Sequence, residues 1–285
     1  MKKIALIGNG YWGRKIKNYI PEFFGLKYVA DSSFKLEKIW EDEEVSSVII
    51  ATPIETHYSI AKDALLTRKN VFLEKPITTT LKEATALRDL AKLKDVKIAV
   101  NYVQTFSKSI DKIQRLIKMI GEIEFIEMST KHLGRFMDFD VYWLLASHHL
   151  SILDMFIDLD TLKFTFQDHI MNEGLCTSGS ILFDKGRIDT SLNFPGKELL
   201  VNFYGKNGTI KYNPLSAKTI KVALYKKLYK ELPPKLTTKS FNSSFDERNN
   251  LQRSIEYFKN VLEGKELSNL TSAIKITKIL ESRNA

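Results

Sequence analysis

Short, uninterrupted apolar runs alternate with longer amphipathic stretches through the first 105 residues, and few folds accept that alternation. Ile4-Ala5-Leu6-Ile7, Tyr28-Val29-Ala30, Val48-Ile49-Ile50-Ala51, Val71-Phe72-Leu73 and Ile98-Ala99-Val100 carry no polar side chain inside the run. A strand with one wet face alternates polar with apolar residues, whereas a strand covered on both faces has no need to. Between the runs, residues 13–20, 55–68 and 81–93 place apolar side chains at helical spacing, with Ala84, Leu87, Leu90 and Ala91 on one stripe. Repeated strand–helix–strand units predict a doubly wound parallel sheet, and a helix over residues 109–120 closes this half.

After Gly121 the period changes. Residues 123–130, 162–168, 180–183, 189–194 and 199–204 read as longer, partly alternating strands of an open mixed or antiparallel sheet. Helical patterns over 141–157 and 249–263 interrupt and follow them. The expected class is therefore α/β: a parallel domain over residues 1–120, then an α+β domain over 121–285. Composition agrees with a globular chain, at 44% hydrophobic and 27% charged residues. No apolar run approaches the ~20 residues of a membrane helix, and Met1-Lys2-Lys3 leads directly into a strand, so neither a membrane span nor a signal peptide is expected. The single cysteine, Cys176, admits no intramolecular disulfide and no cysteine-based zinc cluster; a reducing cytoplasm and no metal are expected.

The first run ends in Gly8-Asn9-Gly10-Tyr11-Trp12-Gly13 and passes into a helical pattern. In that setting the first glycine permits a tight turn, the second lets backbone approach a pyrophosphate, and the third lets helix and strand pack closely. Asp31 follows 18 residues after Gly13 at the end of the second run, where a carboxylate accepts from ribose hydroxyls and repels a 2′-phosphate. NAD is the expected cofactor, with NADP the alternative. The third run leads into Ala51-Thr52-Pro53-Ile54-Glu55-Thr56-His57 and the fourth into Glu74-Lys75-Pro76. Both lie at carboxyl ends of parallel strands, where open α/β sheets bind ligands. From the residues alone, Lys75 is either a proton donor or carbonyl-polarising cation, or a solvated loop lysine.

Taken in order, the GxGxxG, the Ala51-Thr52-Pro53 run ending in Thr56-His57, and Glu74-Lys75-Pro76 resemble the Gfo/Idh/MocA oxidoreductases. The likeness continues in Tyr204-Gly205-Lys206-Asn207-Gly208-Thr209, in residues 251–262, and in Trp143-Leu144-Leu145-Ala146-Ser147-His148-His149-Leu150-Ser151-Ile152-Leu153, which is similar to that family's "WDLAPHDLSIL" helix. The resemblance implies a Rossmann domain, a second domain whose open sheet forms a homodimer or homotetramer, and an NAD(P)-dependent reaction at a CH–OH carbon of a sugar, nucleotide sugar or cyclitol. Lys75 and His148 are its implied catalytic residues. Gly8, Asn9, Gly10, Tyr11, Trp12, Gly13, Asp31, Ala51, Thr52, Pro53, His57, Glu74, Lys75 and Asn101 are expected at the cofactor, and Lys75, Tyr102, His148 and His149 at the substrate. This chain has Leu144 and His149 where that helix carries acids, which keeps a second reading open: a dinucleotide-binding regulator of the same fold without turnover.

The residues alone leave His148 either catalytic or a satisfied core histidine, since it shares a stripe with Leu144, Leu145, Ser151 and Ile152. Net charge is +9, from 43 basic against 34 acidic residues. Lysines 218, 221, 226, 227, 230, 235 and 239, interleaved with Tyr225 and Tyr229, supply much of the excess. Without a nucleic-acid motif beside it, and with Pro233-Pro234 inside it, this segment reads as a solvated strand pair that at most attracts phosphorylated substrates. No nucleic-acid or membrane partner is expected. The glycosylation sequons at Asn242 and Asn269 are expected to be silent.

Overall fold

The computed structural model describes residues 1–134, 139–213, 215, 219–226, 235–242 and 249–284. The chain divides into two compact units, residues 1–106 together with 248–285, and residues 107–247. This division differs from a joint at residue 120. The helix after Ser107 belongs to the second unit, and the C-terminal helices return to the first. An amphipathic stripe records that a helix has a partner but does not identify it.

In the first unit, β1 (Lys3–Ile7), β2 (Gly25–Ala30), β3 (Val45–Ile50), β4 (Asn70–Glu74) and β5 (Ile98–Asn101) form a sheet of order β2-β1-β3-β4-β5. Every pairing is parallel, so the doubly wound parallel sheet expected from the apolar runs is present. The strand order reverses between β1 and β3. That crevice, at the carboxyl ends of the strands, is where such sheets accept ligands. The helices are α1 (Tyr11–Lys17), α2 (Glu37–Trp40), α3 (His57–Leu66), α4 (Leu81–Lys94), α7 (Asn250–Leu262) and α8 (Leu270–Glu281). Helix α4 begins in a sequence capping pattern, with Thr80 accepting from the Glu83 N–H at 3.3 Å, and stops at Asp95 in the left-handed region (φ 53°).

Alternation along the strands gives the sheet two apolar faces. Ile4, Leu6, Ile49, Phe72 and Ala99 share a buried cluster with Ile16 of α1 and with Ile255, Phe258 and Val261 of α7. Phe258 stacks on Phe72 with centroids 5.0 Å apart and an interplanar angle of 14°. Burying such a ring stabilises by about 2–3 kcal/mol. Helix α8 is fixed to the edge strand by its N-cap: Val100 N–H donates to Asn269 Oδ1 at 2.9 Å and Asn269 Nδ2 donates to Val100 O at 2.8 Å. One side chain thus supplies the donor and acceptor of a missing sixth strand, a way of protecting an open edge.

The second unit carries an eight-stranded mixed sheet of order β13-β12-β11-β10-β6-β9-β8-β7. Its strands are β6 (Ile123–Leu133), β7 (Phe164–Asn172), β8 (Leu175–Phe183), β9 (Gly186–Ser191), β10 (Asn193–Gly205), β11 (Gly208–Tyr212), β12 (Thr219–Lys226) and β13 (Lys235–Asn242). Among the described residues, only β6 and β9 pair in parallel. One face is apolar, with Ile126, Met128, Ile181, Ile188, Val201 and Phe203 buried; the unit's helices are α5 (Lys108–Leu116) and α6 (Ser147–Leu153). The other face carries a polar ladder in which Arg187 bonds Glu127 at 2.6 Å and Asp189 at 3.4 Å. The glycine-bearing turn is a two-residue connection, Lys206-Asn207, between Gly205 and Gly208, which pair directly. The helix expected over 141–157 opens with a π-helical turn, Tyr142–Ala146, before α6. Of the basic segment, Lys221, Lys226, Lys235 and Lys239 fall on β12 and β13; Lys218, Lys227, Tyr229, Lys230 and Pro233-Pro234 lie outside the described residues, as does the rest of the Asn242 sequon. Among the described residues, no helix is long and apolar enough to cross a membrane.

Candidate active site

The glycine loop after β1 is built by steric exclusion. A Cβ on Gly8, whose φ is +103°, would lie 2.3 Å from the Ala51 carbonyl oxygen, and a Cβ on Gly13 would lie 1.9 Å from the Gly8 oxygen. Both positions therefore pack β1, β3 and α1 together with no room to spare. Gly10 differs. A Cβ there meets nothing within 4 Å, so the space against its backbone is left for something outside the chain. Asn9, Tyr11 and Trp12 are exposed beside it. Lys15 Nζ lies 2.7 Å from the Tyr11 hydroxyl and 4.3 Å from the centre of that ring. Asp31 stands just beyond β2, where the Ser33 hydroxyl and N–H donate to its Oδ1 at 2.7 and 3.0 Å. Those two bonds hold its carboxyl below the usual range, so it is a fixed anion. These residues fit a dinucleotide: a cradle that only glycine leaves open, with an anion at the end of the next strand.

Across the crevice, the carboxyl ends of β3, β4 and β5 bring together Thr52, His57, Glu74, Lys75 and Asn101. Glu74 and Asn101 are partners in the β4–β5 register, and Asn101 Nδ2 donates to Glu74 Oε1 at 2.7 Å. Asn101 is 1% exposed, and its Oδ1 is buried without a hydrogen-bond partner. Burial pushes the Glu74 carboxyl up, against the pull of the Asn101 amide and the Lys75 charge; burial pushes the Lys75 amine down, against the Glu74 charge. The Lys75–Pro76 peptide is cis. Lys75 is thus half-buried where β4 ends, and not exposed on a loop. Among the described residues no group of three or more His, Cys, Asp or Glu gathers to hold a metal ion.

Three of the residues expected at ligands lie in the interior. His57 was expected at the cofactor, but it is buried with Nδ1 2.9 Å from Pro76 O and Nε2 3.0 Å from Thr52 O. Each ring nitrogen lies against a backbone carbonyl, of which the neutral ring can donate to one at a time, and the ring braces the loop after β3 against the loop after β4. Burial lowers its pKa. Tyr102, expected to face the substrate, is 1% exposed. His149, also expected there, is fully buried with Nε2 2.7 Å from Thr130 Oγ1 on β6; burial pushes its pKa down to about 4, so it is a neutral core histidine. His148, on α6 of the second unit, is part-exposed, while its neighbours Ser147 and His149 are buried. What the sequence did not disclose is the Glu74–Asn101 bond. The available signal was positional, since each is the last residue of its strand and the strands are adjacent.

Residues 11–102 match the model of an oxidoreductase family with an NAD-binding Rossmann fold, GFO_IDH_MocA. An uncharacterized oxidoreductase of Synechocystis is 31% identical over 102 residues, which are 35% of this chain and 28% of that protein. The scyllo-inositol 2-dehydrogenase (NAD(+)) of Bacillus subtilis is 27% identical over 121 residues, 42% of this chain and 34% of that protein. The matched stretches therefore span well under half the length of these relatives. Among solved structures, the UDP-N-acetylglucosamine 3-dehydrogenase of Acidithiobacillus ferrooxidans superposes with a TM-score of 0.84 at 16% identity, covering 99% of this chain and 98% of that one. The likeness in fold covers nearly the whole chain, whereas the likeness in sequence to these relatives covers less than half of it.

Proposed function

From the match of residues 11–102 to the Gfo/Idh/MocA oxidoreductase family model, we propose that this chain is an NAD-dependent oxidoreductase of a CH–OH carbon in a sugar, nucleotide sugar or cyclitol. The observation that carries the reading is Lys75, half-buried just after β4, at the carboxyl end of the sheet that also carries the Gly8–Gly13 loop. When bound, the nicotinamide supplies the hydride chemistry. Gly8, Gly10 and Gly13 shape the pyrophosphate cradle, and the fixed Asp31 anion favours a free ribose hydroxyl over a 2′-phosphate, hence NAD over NADP. Lys75 Nζ donates to the reacting oxygen, orients it and stabilises negative charge developing there during oxidation. His148 receives the hydroxyl proton, and in reduction His148 or Lys75 returns it. Support for the substrate class comes from the activities named for the inositol and nucleotide-sugar relatives. The second unit's sheet is assigned to homo-oligomer contact, which light scattering tests.

The test is a panel of nucleotide sugars, inositols and aldoses, followed through reduced-nicotinamide absorbance. Turnover is expected on at least one class. Lys75→Ala is expected to lower kcat by about 10²-fold or more while leaving dinucleotide affinity near wild type; wild-type turnover in that variant would remove Lys75 from the chemistry. The second reading, a dinucleotide-binding regulator, draws on Leu144 and His149 standing beside the histidine in place of acids. Tight NAD binding with no turnover across the panel would favour it.

A further inference from the structure

The π-helical turn Tyr142–Ala146 packs against β8 and β9, and α6 continues from it. From Val141 to Leu153 every residue is buried except Leu144 and His148. These two are four positions apart, so they lie on one side of the helical path, one turn from each other and about 6 Å apart along its axis. The other polar side chains of the stretch are turned inward. The Tyr142 hydroxyl donates to Gln167 O at 2.9 Å and lies 3.0 Å from Asp168 Oδ1, Ser147 donates to Trp143 O at 2.8 Å, Ser151 donates to His148 O at 2.7 Å, and His149 Nε2 lies 2.7 Å from Thr130 Oγ1. The acids that flank the stretch are engaged as well: Asp140 accepts from the Tyr142 and Cys176 N–H groups at 3.0 and 3.3 Å, and Asp154 accepts from the Leu159 N–H at 3.3 Å. What the stretch offers outward is therefore one hydrogen-bonding group, His148, and one apolar side chain, Leu144.

We propose that Leu144 is a specificity-determining residue, and that the substrate is a deoxygenated sugar or cyclitol carrying hydrogen or methyl in place of hydroxyl at a carbon near the one that reacts. This rests on the reading of His148 as the group that receives the hydroxyl proton. With the reacting hydroxyl at His148, a neighbouring substituent of the same ring lies against Leu144, one turn away. A hydroxyl in that place loses water and gains no partner from this stretch, whereas C–H surface against the leucine isobutyl group is favourable. One such contact discriminates by about tenfold to about a hundredfold, and not absolutely. An apolar pocket tolerates an added hydroxyl better than a polar pocket tolerates a missing one.

Matched pairs test this on the full chain. Affinities for glucose, myo-inositol and UDP-glucose, and for the singly deoxygenated analogues of each, are measured by calorimetry with NAD present, so that the result does not wait on turnover. At least one deoxy analogue is expected to bind tighter than its parent by about tenfold or more. Leu144→Asp should reverse that order. Leu144→Met, which keeps the apolar surface and the volume, should retain it and guards against a variant that misfolds. In Leu144→Asp the NMR titration of the His148 ring, assigned with His148→Gln, should also move up by about 0.3 unit or more. A leucine that only packs the helix would change neither the order of affinities nor that titration. Equal affinities within every pair, tighter binding of the parents, or no binding at all would overturn the proposal. A deoxy preference without turnover would count against the proposed activity alone, and turnover without a preference against the role of Leu144 alone.

Discussion

Three glycines a few residues apart do separate work. Gly8 and Gly13 exclude a side chain because backbone oxygen already occupies the place, whereas Gly10 faces open space. Gly13→Ala should therefore destabilise the fold by about 3 kcal/mol or more. Gly10→Ala should melt near wild type and yet lose dinucleotide affinity by about tenfold or more. Thermal melting and NAD titration of the two variants read this directly, and equal losses of stability would contradict it. His149 gives a second residue-scale expectation. Its pKa falls from 6.5 in an exposed chain to about 4 in the fold, so the unfolded state binds its proton first as the pH drops. Stability from this group is complete above about pH 6.5 and is lost as pH falls toward about 4. Between about pH 7 and about pH 5 the loss is about 2 kcal/mol, and His149→Gln should remove that part of the pH dependence in chemical denaturation.

At the scale of elements, the edge of the parallel sheet depends on one side chain. Asn269 caps α8 and completes the hydrogen bonding of Val100 with both ends of its amide. Asn269→Ala leaves a donor and an acceptor of a buried strand unmatched, and should cost about 2–3 kcal/mol, read as a drop in denaturation midpoint without a change in slope. Asn269→Asp, which keeps the acceptor and loses the donor, should fall between the two. How much of this was legible follows from what a pattern records. The five parallel strands were visible because burial on two faces forces uninterrupted apolar runs, as in Val48-Ile49-Ile50. The site loops were visible because Gly8 to Gly13 and Glu74-Lys75-Pro76 follow directly on such runs. Helix α7 was visible as a helix and not as a cover for β4, since nothing in the spacing of Ile255, Phe258 and Val261 names Phe72 as their neighbour. The neighbours of the His57 and His149 rings were not legible for a related reason: a histidine's chemistry can be read from sequence, but its hydrogen-bond partners cannot.

At the scale of the molecule, the parallel sheet is assembled from both ends of the chain, with residues 107–247 set between them as a unit of their own. Ending the chain at residue 247 would remove Ile255, Phe258 and Val261 from the cluster on Phe72, and with them Asn269 from the sheet edge. Such a chain should show no cooperative melting of its dinucleotide-binding unit and no NAD affinity, as calorimetry and titration would record. A truncated chain that bound NAD normally would show that the sheet holds its shape without that cover.

The same connectivity sets an order of events during translation. Strands β1 to β5 leave the ribosome early, but the helix that stacks Phe258 on Phe72 is made only after the whole intervening unit. The second unit can close while the first still exposes the apolar face it will later bury, reversing the usual N-terminal-first sequence. A nascent chain of this design spends the synthesis of 107–247 with an unfinished sheet, and it is over that interval that chaperone shelter or slow translation would have the most effect on its yield.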